Sequence, residues 1–398
     1  MSFKALCFAF VTAGSVTLAA VHSNAVWAQG SARFDLAGRV LDRETGEPLP
    51  GVNVFLANTM LGSATNNDGE FLIRSVPAGT YDLVASMIGY EMQKRKVVVT
   101  GPVAQPFVFR LRQKPLQAPE IEVTAEPNKQ WQKDYKRFLT LFFSTTRNAR
   151  QCAILNAPVL DFTRTEGGFQ ATASEPLVIE NRALGYRIRY VLEHFLATED
   201  LVQISRIAQY EELQPSSEAE RLEWERNRVR AYRGSLRHFL RTVYRQAVRS
   251  RGVEAEENGR VNLLEQEGFR VFHVKQPGPW EPYTKRKPTN TNRFVRPGTV
   301  PTEWVFTFPN YLEVIYLKER EEDEFLAYYY EFRKPREQRS FITVDNRAVA
   351  VDTTGRVYTR FGIKTYGYWG WVREADELPG DYVPPPALGH GGPQKWNK

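Results

Sequence analysis

The stretch from Ala37 to Thr100 limits the possible folds most tightly, because its turns are written in residues with few conformational choices. Leu36–Leu41 and Val52–Leu56 are runs of β-branched and large apolar residues. Between them lie a polar turn, Asp42–Glu47, and the stiff corner Pro48-Leu49-Pro50-Gly51. Asn66-Asn67-Asp68-Gly69 combines residues that tolerate positive φ with a glycine that carries no steric penalty there, so the chain is expected to reverse as a hairpin into Glu70–Arg74. Pro77-Ala78-Gly79-Thr80 then feeds Tyr81–Ser86, Ile88-Gly89-Tyr90 leads to Lys96–Val99, and a last run spans Phe107–Leu111. Roughly seven short strands at this spacing predict an all-β sandwich.

Three motifs within this stretch are more specific. They are G-x-V-x-D-x-x-T-G-E-P-L-P-G-V-N-V from Gly38, N-D-G-x-F from Asn67, and V-P-A-G-T-Y-x-L-x-A-S-x-I-G-Y from Val76. In this order and at this spacing they resemble the carboxypeptidase regulatory-like domain, a transthyretin/prealbumin-like sandwich found in Gram-negative envelope proteins. The resemblance covers about a fifth of the chain. It implies an interaction or carbohydrate-binding-like module, which accompanies zinc peptidases in some relatives and outer-membrane receptors in others. A zinc peptidase needs two histidines and a carboxylate converging on one ion. Here His194 precedes Phe-Leu-Ala, His238 precedes Phe-Leu-Arg and His273 precedes Val-Lys-Gln, so neither His-x-x-Glu nor His-Glu-x-x-His occurs. No metal or other cofactor is expected.

The flanks set the compartment. Lys4, the apolar run Ala5–Val21 and Val26-Trp27-Ala28 read as a signal peptide over residues 1–28, with an uncleaved anchor as the alternative. Removal of Cys7 leaves Cys152 alone, which excludes an intrachain disulfide. Residues 33–112 are expected to form the sandwich and 113–130, with Pro115, Pro119 and Pro127, a linker. Residues 131–382 are expected to form a larger α+β domain with an antiparallel sheet, and 383–398 a disordered tail. The fold class expected is therefore multi-domain. Within 131–246, N-A-x-x-C-x-I-L-N, P-L-V-I-E-N-x-x-L-G-Y-x-I-x-Y and A-Y-x-G-S-x-x-H-F-L-R resemble an extension that recurs after this sandwich in envelope proteins and implies no mechanism.

In the larger region, Trp131–Phe143 has helical spacing, while Ala157–Phe162, Gly168–Thr172, Leu177–Glu180 and Tyr186–Phe195 read as strands. Strict alternation places Tyr186, Ile188, Tyr190, Leu192 and His194 on one face, with His194 a structural histidine rather than a ligand. Residues 275–303 read as a basic, proline-rich loop. Tyr311–Leu317, Phe325–Phe332, Phe341–Val344 and Ala348–Val351 read as strands. Tyr366, Tyr368, Trp369 and Trp371 close a core or, as an alternative, stack on sugar rings.

Between Arg221 and Arg251, Val229, Tyr232, Leu236, Leu240, Val243 and Ala247 fall on one helical face, with Gly234-Ser235 as an interruption that Ser235 can cap. Arg233, Arg237, Arg241 and Arg245, continued by Arg249, recur every four residues. Like charges at this spacing repel, so the stripe needs solvent, acidic partners such as Glu319, Glu321, Glu322, Asp323 and Glu324, or an anionic ligand. Arg233, Arg237, Arg241 and Arg245 are the candidate anion-binding residues, suited to lipopolysaccharide phosphate or acidic glycan. The net charge of +7 is modest and no nucleic-acid motif accompanies it, so nucleic acid is not the expected partner. No Gly-x-Ser-x-Gly or phosphate loop occurs, and no catalytic residues are assigned.

The sequence thus predicts a non-enzymatic protein exported to the periplasm or outer-membrane periphery, without a membrane span in its mature form. Its partner would be an envelope protein, glycan or lipopolysaccharide. The alternatives are a hydrolase of glycans or peptides, and a structural component of an outer-membrane assembly.

Overall fold

The computed structural model describes residues 32–103, 105–114, 129–250, 262–278, 286–329, 331–345 and 347–385. The signal peptide, most of the linker and nearly all of the tail expected from the sequence lie outside these residues. Strands β1 (Arg33–Asp42), β2 (Asn53–Leu56), β3 (Gly62–Ala64), β4 (Glu70–Pro77), β5 (Gly79–Ser86), β6 (Gln93–Val99) and β7 (Phe107–Leu111) build the first body. They form a three-stranded sheet, β4-β1-β7, and a four-stranded sheet, β3-β2-β5-β6. Leu36, Val40, Val54, Ile73, Leu83 and Phe109 meet between the sheets. Period-two alternation does this directly: from Leu36 to Asp42 every second position of β1 is buried.

The Asn66–Gly69 turn forms, with the Asn66 side-chain oxygen accepting from the backbone N–H groups of Asp68 (3.0 Å) and Glu70 (2.8 Å). Gly69 takes φ +71°. The turn is a corner and not a hairpin, because β3 and β4 belong to different sheets. Its local chemistry fixes a reversal but not which edge the departing strand joins.

The second body comprises helix α1 (Lys129–Phe143) and strands β8 (Cys152–Ile154), β9 (Leu160–Thr165), β10 (Gly168–Ala173), β11 (Leu177–Asn181), β12 (Tyr186–Ala197) and β13 (Val202–Glu212). β12 pairs along its whole length with β13. Its other edge is shared between β11 and β10. Phe138 and Phe142 of α1 pack on this sheet against Tyr190 and Phe195. The alternation expected for β12 breaks at a bulge between Leu192 and His194. One extra residue exchanges the two faces. Phe195 and Ala197 therefore join the core with Tyr186, Ile188 and Tyr190, while His194 turns away to meet the Phe361 ring at 5.3 Å.

The third body holds α2 (Glu218–Tyr232), α3 (Leu236–Arg249), α4 (Leu263–Glu267), β14 (Phe269–Val274), β15 (Val295–Pro297), β16 (Glu303–Phe306), β17 (Tyr311–Arg320), α5 (Asp323–Tyr328), β18 (Glu337–Thr343), β19 (Val349–Asp352), β20 (Lys364–Gly367) and α6 (Tyr368–Trp371). Two antiparallel sheets, β14-β17-β18-β20 and β15-β16-β19, and the inner face of α3 enclose Phe239, Val243, Phe269, Val314, Ile342 and Trp371. The region expected as one α+β domain thus carries two hydrophobic cores.

Phe325–Phe332, expected as a strand, starts with a helix. Asp323 and Glu324 occupy its first turn, where the helix dipole favours acids, and Phe325 stacks edge-on with Tyr329 four residues later. Trp371 is fully buried and Tyr368 and Trp369 nearly so, with the Trp369 indole donating to the Gly234 carbonyl (2.7 Å). These aromatics close a core.

The sandwich is seated on the other two bodies. The Asn58 N–H donates to the Ala208 carbonyl (2.6 Å) and the Tyr210 N–H to that of Thr59 (3.0 Å), so the turn after β2 covers the open edge of β13. Phe55, Ala57 and Val84 cluster with Ile207 beneath it. On another side the Thr80 carbonyl accepts from Arg356 (2.8 Å) and the Tyr358 hydroxyl (2.5 Å), and Lys96 reaches Glu303 (3.0 Å). The stretch Glu374–Tyr382 then ties all three bodies. Glu374 and Glu377 pair with Arg206 (2.6 and 2.9 Å), and the Ala375 carbonyl accepts from the Asn181 side chain (2.8 Å). The Gly380 N–H donates to the Asn58 carbonyl (2.6 Å), and Asp381 accepts from the Met60 N–H (3.1 Å). No helix among the described residues is long and apolar enough to cross a membrane.

Candidate functional site

The arginine-rich segment is two helices. Ser217 caps α2, accepting from the Glu220 N–H (3.2 Å), and Ser235 caps α3, accepting from the His238 N–H (3.1 Å). Gly234 turns the chain between them at φ +71°. α2 is anchored on the second body by one face. Asn227 donates to the Ala183 carbonyl (2.9 Å), Arg228 donates to Leu184 (2.7 Å) and stacks over the Tyr186 ring (4.2 Å), and Trp224 lies on Gly185. Gly185 has φ +70°, and a Cβ there would collide with the Trp224 ring.

The other face of α2 carries Leu222, Arg226, Val229 and Arg230, positions that share a side at helical spacing, and Arg233 follows as the C-cap residue. Opposite them stand Lys318–Glu322, where β17 ends, and Gln338 of β18. The walls enclose a cleft of about 930 Å³. Most of its acids are already engaged. Glu321, 6% exposed, is held by Arg333 (2.5 and 3.0 Å) and accepts from the Arg336 N–H (3.0 Å). Glu322 faces Arg147 at 3.7 Å, and Glu225 pairs with Arg221. The Lys318 ammonium donates to the Gln266 carbonyl (2.6 Å). The side chains of Arg226, Arg230, Arg233 and Arg320 make no hydrogen bond or ion pair with any described residue. Glu319 lies among them, and burial raises its carboxyl to about 7 although Arg230 and Arg233 pull the other way. Glu322 is likewise raised by burial.

Of the four arginines singled out from the sequence, Arg233 alone lines this cleft. Arg237 points into the fold, where its guanidinium donates to the carbonyls of Pro379 (2.7 Å), Gly380 (2.6 Å), Tyr382 (3.0 Å) and Thr354 (3.4 Å). Arg241 donates to the Tyr232 hydroxyl (3.1 Å), and Arg245 faces Glu267 at 3.7 Å. The structure therefore does not gather the four on one surface. The four-residue stripe runs forward from Arg233, whereas the face that meets the cleft runs backward from it through Arg230 and Arg226. Arg320 comes from a strand distant in sequence, so no helical period contains it.

Among the described residues, the other side chains singled out from the sequence form no comparable site. Among the described residues no three His, Cys, Asp or Glu side chains are grouped so that they could hold a metal ion. Burial pushes the Cys152 thiol well above its usual range, which disfavours the thiolate. Burial and Arg360 lower His194.

With the geometry in hand, comparison with known proteins places the sandwich. The profile of the CarboxypepD_reg-like domain matches residues 36–123, so the chain carries that domain. A TonB-dependent receptor, P39, from Formosa agariphila is 40% identical over 73 residues, which are 17% of this chain and 7% of the receptor. The chain thus spans a small fraction of that relative. Among solved structures, a cohesin–X-dockerin complex from Acetivibrio cellulolyticus shares 24% identity over 19% of this chain and 56% of its own, with a TM-score of 0.17. A protein described as carbohydrate-binding, from Bacteroides uniformis, shares 13% identity over 40% of this chain and 59% of its own, with a TM-score of 0.18. Likenesses at this level carry no functional inference.

Proposed function

We propose that this is a non-enzymatic binding protein of the cell envelope, in which the sandwich is a fixed part of the scaffold and the cleft beside α2 docks an anionic envelope component. The observation that carries this reading is the set of four guanidinium groups, Arg226, Arg230, Arg233 and Arg320, that surround one cleft and form no hydrogen bond or ion pair with any described residue. Guanidinium forks match the oxygens of phosphate and carboxylate, and an apolar lining strengthens such contacts. The regulatory-like domain and its likeness to part of a TonB-dependent receptor support an extracellular or outer-membrane-associated setting. A glycan hydrolase would need two carboxyl groups flanking the scissile bond, whereas the cleft offers Glu319 alone free of an arginine clamp.

The test is retention on phosphocellulose as salt is raised. The wild-type chain is expected to bind and to elute late. The triple variant R226Q/R230Q/R233Q is expected to elute at markedly lower salt, while R43Q/R110Q, on the sandwich, elutes with the wild type. Unchanged elution of the cleft variant overturns the reading.

A further inference from the structure

Glu319 sits awkwardly for a residue whose only task is stability. It faces Arg230 and Arg233 from α2, Gln338 from β18, the repelling carboxylate Glu322 beyond the end of its own strand, and the hydroxyls of Tyr316 and Tyr368. Neither arginine closes on it in an ion pair, although its neighbours Glu321 and Glu322 each have one. Among the described residues, Arg226 and Arg320 form no ion pair with an acid. The cleft therefore holds, among the described residues, four arginines without an ion pair around one loosely engaged carboxyl. The α2 side of the cleft is also partly apolar, with Leu222 42% exposed and Val229 half-buried.

We infer that the cleft receives a phosphate-bearing ligand whose oxygens are taken by Arg226, Arg230, Arg233 and Arg320, and that Glu319 is the resident carboxyl that competes with this phosphate for the field of Arg230 and Arg233. The inference rests on the reading of the cleft as the docking site and adds the identity of the charged group. A phosphomonoester brings about 1.5–2 negative charges in one compact group, where a carboxylate brings one. The former comes closer to matching the excess of positive charge in the cleft. The guanidinium groups come from two parts of the lining, α2 with its C-cap Arg233 and the end of β17, so an anion has arginine forks on either side of it. Leu222 and Val229 then lie under the uncharged remainder of the ligand.

Such competition has a signature that general basicity lacks. A phosphate beside Glu319 forces that carboxyl to take up a proton, so binding weakens as pH rises past the point where the carboxyl ionises. Removing the resident charge should help the ligand. Titration calorimetry of the full chain with inorganic pyrophosphate, at about pH 6 and about pH 8 in buffers of different ionisation enthalpy, reads both effects. Glu319→Gln is expected to bind roughly tenfold more tightly than wild type at the higher pH and to lose the proton uptake. Arg230→Gln and Arg233→Gln should each weaken binding by about tenfold or more, with circular dichroism confirming that they fold. Because pyrophosphate itself titrates, each comparison is made between variants at one pH.

Two further probes separate the sources of the phosphate. Sedimentation with vesicles of phosphatidylcholine and phosphatidic acid, but not of phosphatidylcholine alone, assigns a lipid headgroup; pyrophosphate binding without vesicle binding assigns a soluble phosphate. Either result supports the inference. It is overturned if Glu319→Gln binds no better than wild type, or if trigalacturonate binds where pyrophosphate does not. Loss of phosphocellulose retention in the triple arginine variant alongside either of those results would leave the docking site standing and remove only the phosphate.

Discussion

Arg237 and Asp376 show how buried charge is used to hold chain rather than ligand. The Arg237 guanidinium satisfies carbonyls of Thr354, Pro379, Gly380 and Tyr382, and burial lowers its affinity for its proton. Glutamine cannot span them. Arg237→Gln is expected to cost roughly 2–4 kcal/mol in urea unfolding, because several buried acceptors lose a charged donor at once. It should leave phosphocellulose retention unchanged, unlike substitution of Arg233. Asp376, bonded by Thr146 and Asn148 (2.7 Å each), is raised by burial to about 7 from an ordinary 3.8. The folded chain then binds a proton that the unfolded chain has lost, so this group's contribution is full below about pH 4 and declines as pH rises to about 7. Asp376→Asn should flatten that decline, by up to roughly 4 kcal/mol across the window. A pH series of urea midpoints for the two proteins checks it, and parallel curves would count against it.

At the scale of elements, α2 and its Gly185 seat decide whether the cleft exists. Gly185→Ala puts a methyl group into the Trp224 ring and strains a positive φ, so it should lower stability by about 2–4 kcal/mol and, by shifting α2, weaken phosphocellulose retention as well. Loss of stability with full retention would detach the cleft from this seat. Ser235→Ala, removing the cap of α3, should cost about 1 kcal/mol and leave retention intact. Elements with a local cause were legible in the sequence. The sandwich strands follow from alternation and turn residues, and the break at Gly234-Ser235 follows from a positive φ beside a capping hydroxyl. Elements decided by tertiary contact were not. The bulge in β12 is invisible in a strand whose two faces are both mixed, and Phe325–Tyr328 has strand-like composition but packs as a helix against Tyr368 and Trp371. Of the four cleft arginines one was legible in the same sense: Arg233 belongs to the four-residue stripe, whereas Arg226 and Arg230 precede it and Arg320 arrives through sheet pairing.

For the whole molecule, the sandwich and the rest form one cooperative object as far as their contacts go. The Phe55–Ile207 cluster, the Thr80 acceptor site and the Asn58 edge lie on different sides of the same module. A protease site placed between residues 115 and 128 and then cut should yield two fragments that still co-elute in gel filtration, and separate elution would show the seat to be weak. Calorimetry of the uncut chain should show a single transition. The stretch Glu374–Tyr382 also imposes an order on events. Met60 meets Asp381 across a separation of 321 residues, and the Asn58 carbonyl meets Gly380. A growing chain therefore completes its first sandwich strands long before their last partner exists, and contacts so distant are slow to form. Until that partner arrives, both the turn at Asn58 and the adjoining Arg206 flank of β13 stand uncovered. A chain cut short before Glu374 leaves them as permanent templates for mispairing with its neighbours.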